Sequence, residues 1–139
     1  QQIGQGSTRE GRLFQGFLNG SIDLVAQIGT PAQPRFVVLD YKSNSLKGAA
    51  RFTPELLELE MARAGYPLQA LLYSVALHRY LDERLEGYTA ATHIGGACYY
   101  FVRGVVLPSA QPGDGIATWS VPPELVTRTS ALLAGGGDE

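Results

Sequence analysis

Asp40-Tyr41-Lys42 closes a run of strand-forming residues, Arg35-Phe36-Val37-Val38-Leu39. Side chains alternate along a strand, so Asp40 and Lys42 project from one face and Tyr41 from the other. A carboxylate and an ammonium at the tip of so apolar a segment are costly to bury unless they pair or bind a metal. A strand that simply ends in polar residues at the surface would carry the same three side chains, so the motif alone decides nothing. Asp23 changes the balance. It interrupts the apolar run Ile22-Asp23-Leu24-Val25 one loop upstream. If the two segments pair as an antiparallel hairpin, both carboxylates can lie at one edge of the sheet. Two carboxylates with backbone carbonyls and water make the hard, oxygen-rich site that Mg²⁺ prefers. A divalent cation also relieves the repulsion between them. Lys42 beside them is suited to orient or deprotonate a water, or to stabilise charge on a phosphorane-like centre.

The elements that must hold these residues follow from pattern. Segments 12–18 and 20–28 read as β structure around Asn19-Gly20, which is either a tight hairpin turn or a bulge in one strand. Gly29 to Pro34 reads as a loop. Arg35 to Tyr41 reads as a central strand covered on both faces, because its apolar character is nearly continuous. Thr53-Pro54 predicts an N-cap and first helical position, with Gly65 as the stop. A second helix is expected from about Pro67 to Leu85, with Leu68, Leu72, Val75 or Ala76, and Tyr80 at the helical period. Segments 95–106 and 116–120 return to strand, with Cys98 read as a small buried hydrophobe and Tyr99, Phe101 and Trp119 as core. Pro122-Pro123-Glu124 opens a last helix through Leu133. The order predicts a single α/β domain, a mixed central β-sheet flanked by helices. Glu55, Glu58 and Glu60 read as the solvated face of a helix. His78 and His93 have no acid at ligand spacing and read as satisfied or exposed.

Composition bounds the function. The chain has 139 residues, 45% hydrophobic and 17% charged, which suits one core. No stretch approaches the roughly 20 apolar residues of a membrane span. The opening Gln1-Gln2-Ile3-Gly4-Gln5-Gly6-Ser7 is polar and does not read as a signal peptide. Cys98 is the one cysteine, so neither an internal disulfide nor a zinc or iron–sulfur site can form on it alone; a reducing, cytoplasmic compartment fits. The formal net charge of −2 supplies no global basic footprint for nucleic acid. A nucleic-acid role therefore requires metal ions to offset the carboxylates and other domains to hold most of the ligand. No G-x-x-x-x-G-K-[ST] pattern occurs, so the segment contains no ATP motor. Met61 is the only methionine and the chain does not start with one, which leads to the expectation of a piece from a longer polypeptide. Residues 1–15 read as a linker or N-terminal extension, 16–134 as the folded domain and 135–139 as a flexible tail.

Several stretches together resemble a known family. Gly20-Ser21-Ile22-Asp23-Leu24-Val25 and Val38-Leu39-Asp40-Tyr41-Lys42-Ser43-Asn44 are similar to the core of the PD-(D/E)XK nuclease superfamily. D-Y-K-S-N narrows this to the C-terminal nuclease domain of RecB-type proteins. Gln69 and Tyr73 match that family's Q-x-x-x-Y helix motif, and Gly95-Gly96 with Tyr99, Phe101, Arg103 and Gly104 match its G-G-x-x-Y-x-F-x-R-G strand. Gly115-Ile116 and the last helix fall where the family has a short strand and a closing helix. The resemblance runs from about Gly16 to Leu133.

What the resemblance implies is a Mg²⁺-dependent deoxyribonuclease. Asp23 and Asp40 would ligate the ion with the backbone carbonyl of Tyr41, and Lys42 would act on the attacking water. Gln69 and Tyr73, four apart on one helix face, would border the site and the DNA backbone. The implied partners are DNA, RecC-type and RecD-type subunits, and RecA, in double-strand-break processing, with no membrane. Arg103 sits in a matched motif and reads as a structural ion pair. The family also has a metal-ligating histidine on a helix upstream of the first strand; residues 1–15 contain no histidine, so it is expected in a preceding part of the polypeptide. A nuclease-fold scaffold that binds DNA or protein without cutting is the alternative, and the intact Asp23, Asp40 and Lys42 set argues against it.

Overall fold

The structure, a computed structural model, describes residues 22–135. The expected strand over 12–18, the start of the segment at Gly20, the N-terminal extension and most of the tail lie outside the described residues. Four strands form one sheet in the order β1 (Leu24–Thr30), β2 (Gln33–Lys42), β3 (Ile94–Phe101) and β4 (Ile116–Trp119). β1 and β2 are antiparallel, β2 and β3 parallel, and β3 and β4 antiparallel, so the sheet is mixed as expected.

The loop expected over 29–34 is shorter than its composition implied. β1 continues to Thr30 and β2 begins at Gln33, leaving Pro31-Ala32 as the turn. Gly29 at φ 82° bends the strand, and the Thr30 hydroxyl accepts the Gln33 N–H at 3.2 Å. These local devices let two prolines sit at a hairpin edge, where a missing donor is tolerated.

A parallel pair needs a crossover, and here it carries both long helices. In α1 (Pro54–Ala64), Thr53 accepts the Leu56 N–H at 3.3 Å and Pro54 takes the first helical position. Gly65 closes that helix at φ 72° and opens α2 (Tyr66–Arg84) at once. A short α3 (Ala90–His93), capped by the Thr89 hydroxyl, leads into β3. The strand expected to run to Val106 stops at Phe101, and Val102–Val105 turn into α4. Gly104 explains the change of direction: a Cβ there would come within 2.5 Å of the Phe52 ring, so the backbone packs directly on it. α5 (Pro123–Gly135) closes the fold against α2.

One core joins Val38, Leu57, Tyr73, Val75, Ala97, Tyr99, Phe101 and Val126, which lie between the sheet and the helices. Leu68, expected on the apolar face of its helix, is exposed. The expectation that β2 is covered on both faces is corrected among the described residues. Val38 and Asp40 are buried under the helices, whereas Val37 and Leu39 are half-buried and Tyr41 is exposed on the other face. Cys98, on that second face, is likewise half-buried rather than enclosed.

Candidate active site

The hairpin register pairs Leu24 with Leu39, which sets Asp23 at the position facing Asp40. Asp23 lies just before β1, is exposed, and its Oδ2 accepts the Tyr41 N–H at 2.9 Å. That bond fixes one carboxylate against the peptide that follows the other. Asp40 is 4% exposed, and its Oδ2 lies 2.5 Å from Lys42 Nζ. The contact is an ion pair by distance, yet no aligned hydrogen bond reaches this oxygen. Burial pushes the Asp40 carboxyl above its ordinary value; Lys42 pulls it back, and the Asp23 charge pushes it up again. The net direction is upward.

Helix α2 supplies the other side. Lys42 Nζ donates to Gln69 Oε1 at 3.1 Å, and Gln69 Nε2 donates to the Tyr73 hydroxyl at 3.1 Å. Tyr73 is both a core aromatic and a neighbour of the acids: burial first, then the charges of Asp40 and Asp23, lift its phenol to about 12. The hydroxyl therefore stays protonated beside two carboxylates. Strand β2, the residue before β1 and one face of α2 thus bring Asp23, Asp40, Lys42, Gln69 and Tyr73 into one place.

The sequence reading missed Tyr66 here and gave its neighbours no part in the site. Lys42 Nζ sits 4.1 Å from the centroid of Tyr66 and 5.6 Å from that of Tyr99. The helix expected from about Pro67 begins at Tyr66, three residues before Gln69 and seven before Tyr73, which puts Tyr66 on the same face. Asn44 accepts from the Tyr66 hydroxyl at 3.1 Å and donates to Glu60 at 2.9 Å. Glu60 corrects the reading of a solvated face: it is buried, and Arg63 and then Asn44 hold its carboxyl below the ordinary value. Arg103 is not shown in an ion pair; its Nε donates to the Ser43 carbonyl at 2.8 Å, bracing the chain just after Lys42.

The donors suit a hard divalent cation in kind. A buried carboxylate oxygen of Asp40 lacks an aligned hydrogen bond, and Asp23, held on the Tyr41 N–H, brings a second carboxylate to the position facing it. Among the described residues, no third His, Cys, Asp or Glu side chain joins them.

No family model matches the chain. Curated relatives do. It is 42% identical over 130 residues to the RecBCD enzyme subunit RecB of Mycolicibacterium smegmatis, covering 86% of this chain and 12% of that protein. To the RecB subunit of Mycobacterium tuberculosis it is 44% identical, covering 88% of this chain and 11% of the relative. The Escherichia coli RecB subunit is 37% identical over 87% of this chain and 10% of its own length. The chain thus spans about a tenth of the length of the curated relatives it matches. Identity at this level across most of the chain, joined to the motifs assembled above, makes it a member of the RecB family.

Proposed function

We propose that this segment hydrolyses phosphodiester bonds in DNA as the nuclease part of a RecB-type exodeoxyribonuclease. The observation that carries the reading is Asp40: buried, raised in pKa, and set between Lys42 and Asp23. So expensive an arrangement of charge is hard to explain as structure alone.

The carboxylates of Asp23 and Asp40 and the Tyr41 carbonyl would hold Mg²⁺. When bound, such an ion polarises the phosphate and lowers the pKa of a water. Lys42 Nζ, tethered by Gln69 Oε1, orients the attacking water and offsets negative charge on the phosphate. Tyr73 keeps its proton and so adds no third negative charge to the acidic pair. Gln69, with both ends of its amide engaged, serves Lys42 and Tyr73 first and the DNA backbone only from its remaining valences. In a RecBCD-type complex the segment would work beside RecC-type and RecD-type subunits in recombinational repair, with RecA acting on the resulting DNA.

The test is degradation of linear duplex DNA by a Mycolicibacterium smegmatis RecB complex carrying this segment in place of its matching residues. Cleavage should require Mg²⁺ and stop with EDTA. It should fall to background in Asp40→Ala and by roughly 10²-fold or more in Lys42→Ala. Cutting that survives both EDTA and Asp40→Ala would end the assignment at this site. DNA binding with no cutting in Mg²⁺ would favour the silent scaffold.

A further inference from the structure

The amine of Lys42 is held by more than its ion pair. Its side chain is only 14% exposed, and the ammonium lies over the Tyr66 ring at 4.1 Å. Tyr66 is itself fixed at three points. Its ring stacks on that of the fully buried Tyr99, with centroids 5.4 Å apart and planes 8° from parallel. Its carbonyl accepts from the Tyr99 hydroxyl at 3.1 Å. Its own hydroxyl donates to Asn44 Oδ1 at 3.1 Å, and Asn44 is anchored in turn on buried Glu60. An aromatic ring so constrained is a poor choice for generic packing and a good one for fixing a cation. The corner that aims it is local: Gly65 in the left-handed region ends α1 and starts α2 with Tyr66 as the first residue.

We propose that Tyr66 is the positioning residue for the reactive amine, presenting its ring face so that Lys42 Nζ stays directed at the Asp40 corner. The proposal rests on the nuclease reading for its consequence but not for its geometry. Three fixed partners then surround the ammonium: the Asp40 carboxylate, the Gln69 amide oxygen and the Tyr66 ring. Gln69 restrains it along a hydrogen bond, Asp40 holds it by charge, and the ring covers a further side without offering a lone-pair acceptor. The amine keeps a donor direction for water or phosphate. A polar residue at position 66 would instead capture that donor.

Two variants separate the ring face from the hydroxyl. Tyr66→Phe keeps the face and loses the bond to Asn44; Tyr66→Leu loses the face and keeps apolar volume. The first readout needs neither metal nor substrate. In metal-free protein, the Lys42 ε-methylene protons should resonate upfield of ordinary lysine because they lie over a ring. That shift should persist in Tyr66→Phe and collapse in Tyr66→Leu. The second readout is single-turnover cleavage with DNA affinity measured separately. The Leu variant should lose about tenfold in rate, the scale of a desolvated cation–π contact, with affinity changed less than about twofold. The Phe variant should stay within about threefold of wild type. Retention of the ring-current shift in Tyr66→Leu overturns the proposal. So does a Phe variant as slow as Leu, or a rate loss matched by lost DNA affinity. If the RecB complex carrying the wild-type segment binds DNA but fails to cleave it in Mg²⁺ while the shifts behave as described, the nuclease reading falls and the clamp on Lys42 stands.

Discussion

At the scale of single residues, the site divides its labour between charge and restraint. Asp40 and Lys42 carry the charge, and Gln69 uses both ends of its amide to keep Lys42 and Tyr73 in register. Gln69→Leu preserves much of the volume but leaves both polar partners short of a bond. We expect a cleavage rate lower by roughly tenfold and a stability loss of only about 1 kcal/mol, compared by single-turnover kinetics and thermal melting. A large melting shift with unchanged rate would make Gln69 structural instead. Much of this was legible in the sequence. Strand alternation put Asp40 and Lys42 together, and helical spacing put Gln69 with Tyr73. Glu60 was not legible, because its burial depends on Asn44, sixteen residues upstream, and no local pattern encodes that bond. Tyr66 was missed because Pro67 marked the expected start of the helix, one residue too late to put Tyr66 on the face of Gln69 and Tyr73.

At the scale of elements, small residues decide which side chains reach the site. β3 carries a register shift: Phe36 pairs with Ile94 but Val37 pairs with Gly96, leaving Gly95 as an extra residue. The bulge lets Ile94 and the later Ala97, Tyr99 and Phe101 all be buried in one strand, which a strict alternation forbids. Sequence pattern marked this stretch as strand but not the bulge, since two adjacent glycines are compatible with either. Gly96 cannot be replaced cheaply. At φ 102°, with a Cβ only 2.5 Å from the Trp119 carbonyl, Gly96→Ala should lower stability by about 2–4 kcal/mol in urea unfolding. Gly113→Ala provides the control: φ is 91° but nothing lies within 4 Å, so only the backbone cost of about 1–2 kcal/mol remains. Equal losses at the two positions would mean that the close approach to Trp119 is immaterial. The end of β3 was missed for a related reason: Val105-Val106 favours strand locally, while the contact of Gly104 with Phe52 is a tertiary fact.

At the scale of the whole molecule, a polar strap joins the chain before α1 to the entrance of β4. Arg51 donates to both oxygens of the buried Asp114 at 2.8 and 3.0 Å, and the Gln111 N–H donates to the same carboxylate. Arg51 first, then that backbone bond, hold the Asp114 carboxyl below its ordinary 3.8. A depressed folded-state pKa means stability that is present above about pH 4 and is lost as pH falls through the lower, folded value. Arg51→Met should therefore cost most near neutral pH, and its melting deficit against wild type should shrink as pH falls below the ordinary carboxyl range. A deficit that is constant with pH would show that the strap contributes through packing alone. The α/β class and mixed sheet were readable from element order, but this strap spans 63 residues and had no local signature.

The parallel pairing of β2 with β3 also governs when the site can exist. During synthesis, Asp23, Asp40 and Lys42 leave the ribosome long before Tyr99, the ring on which Tyr66 rests and the neighbour of Asp40 in the sheet. A nascent chain that stops anywhere in the helical crossover holds every charged group of the corner and lacks its floor. Assembly of the corner is thus delayed until the second half is translated, so an incomplete product would carry the acids and the amine without the rings that hold them in place.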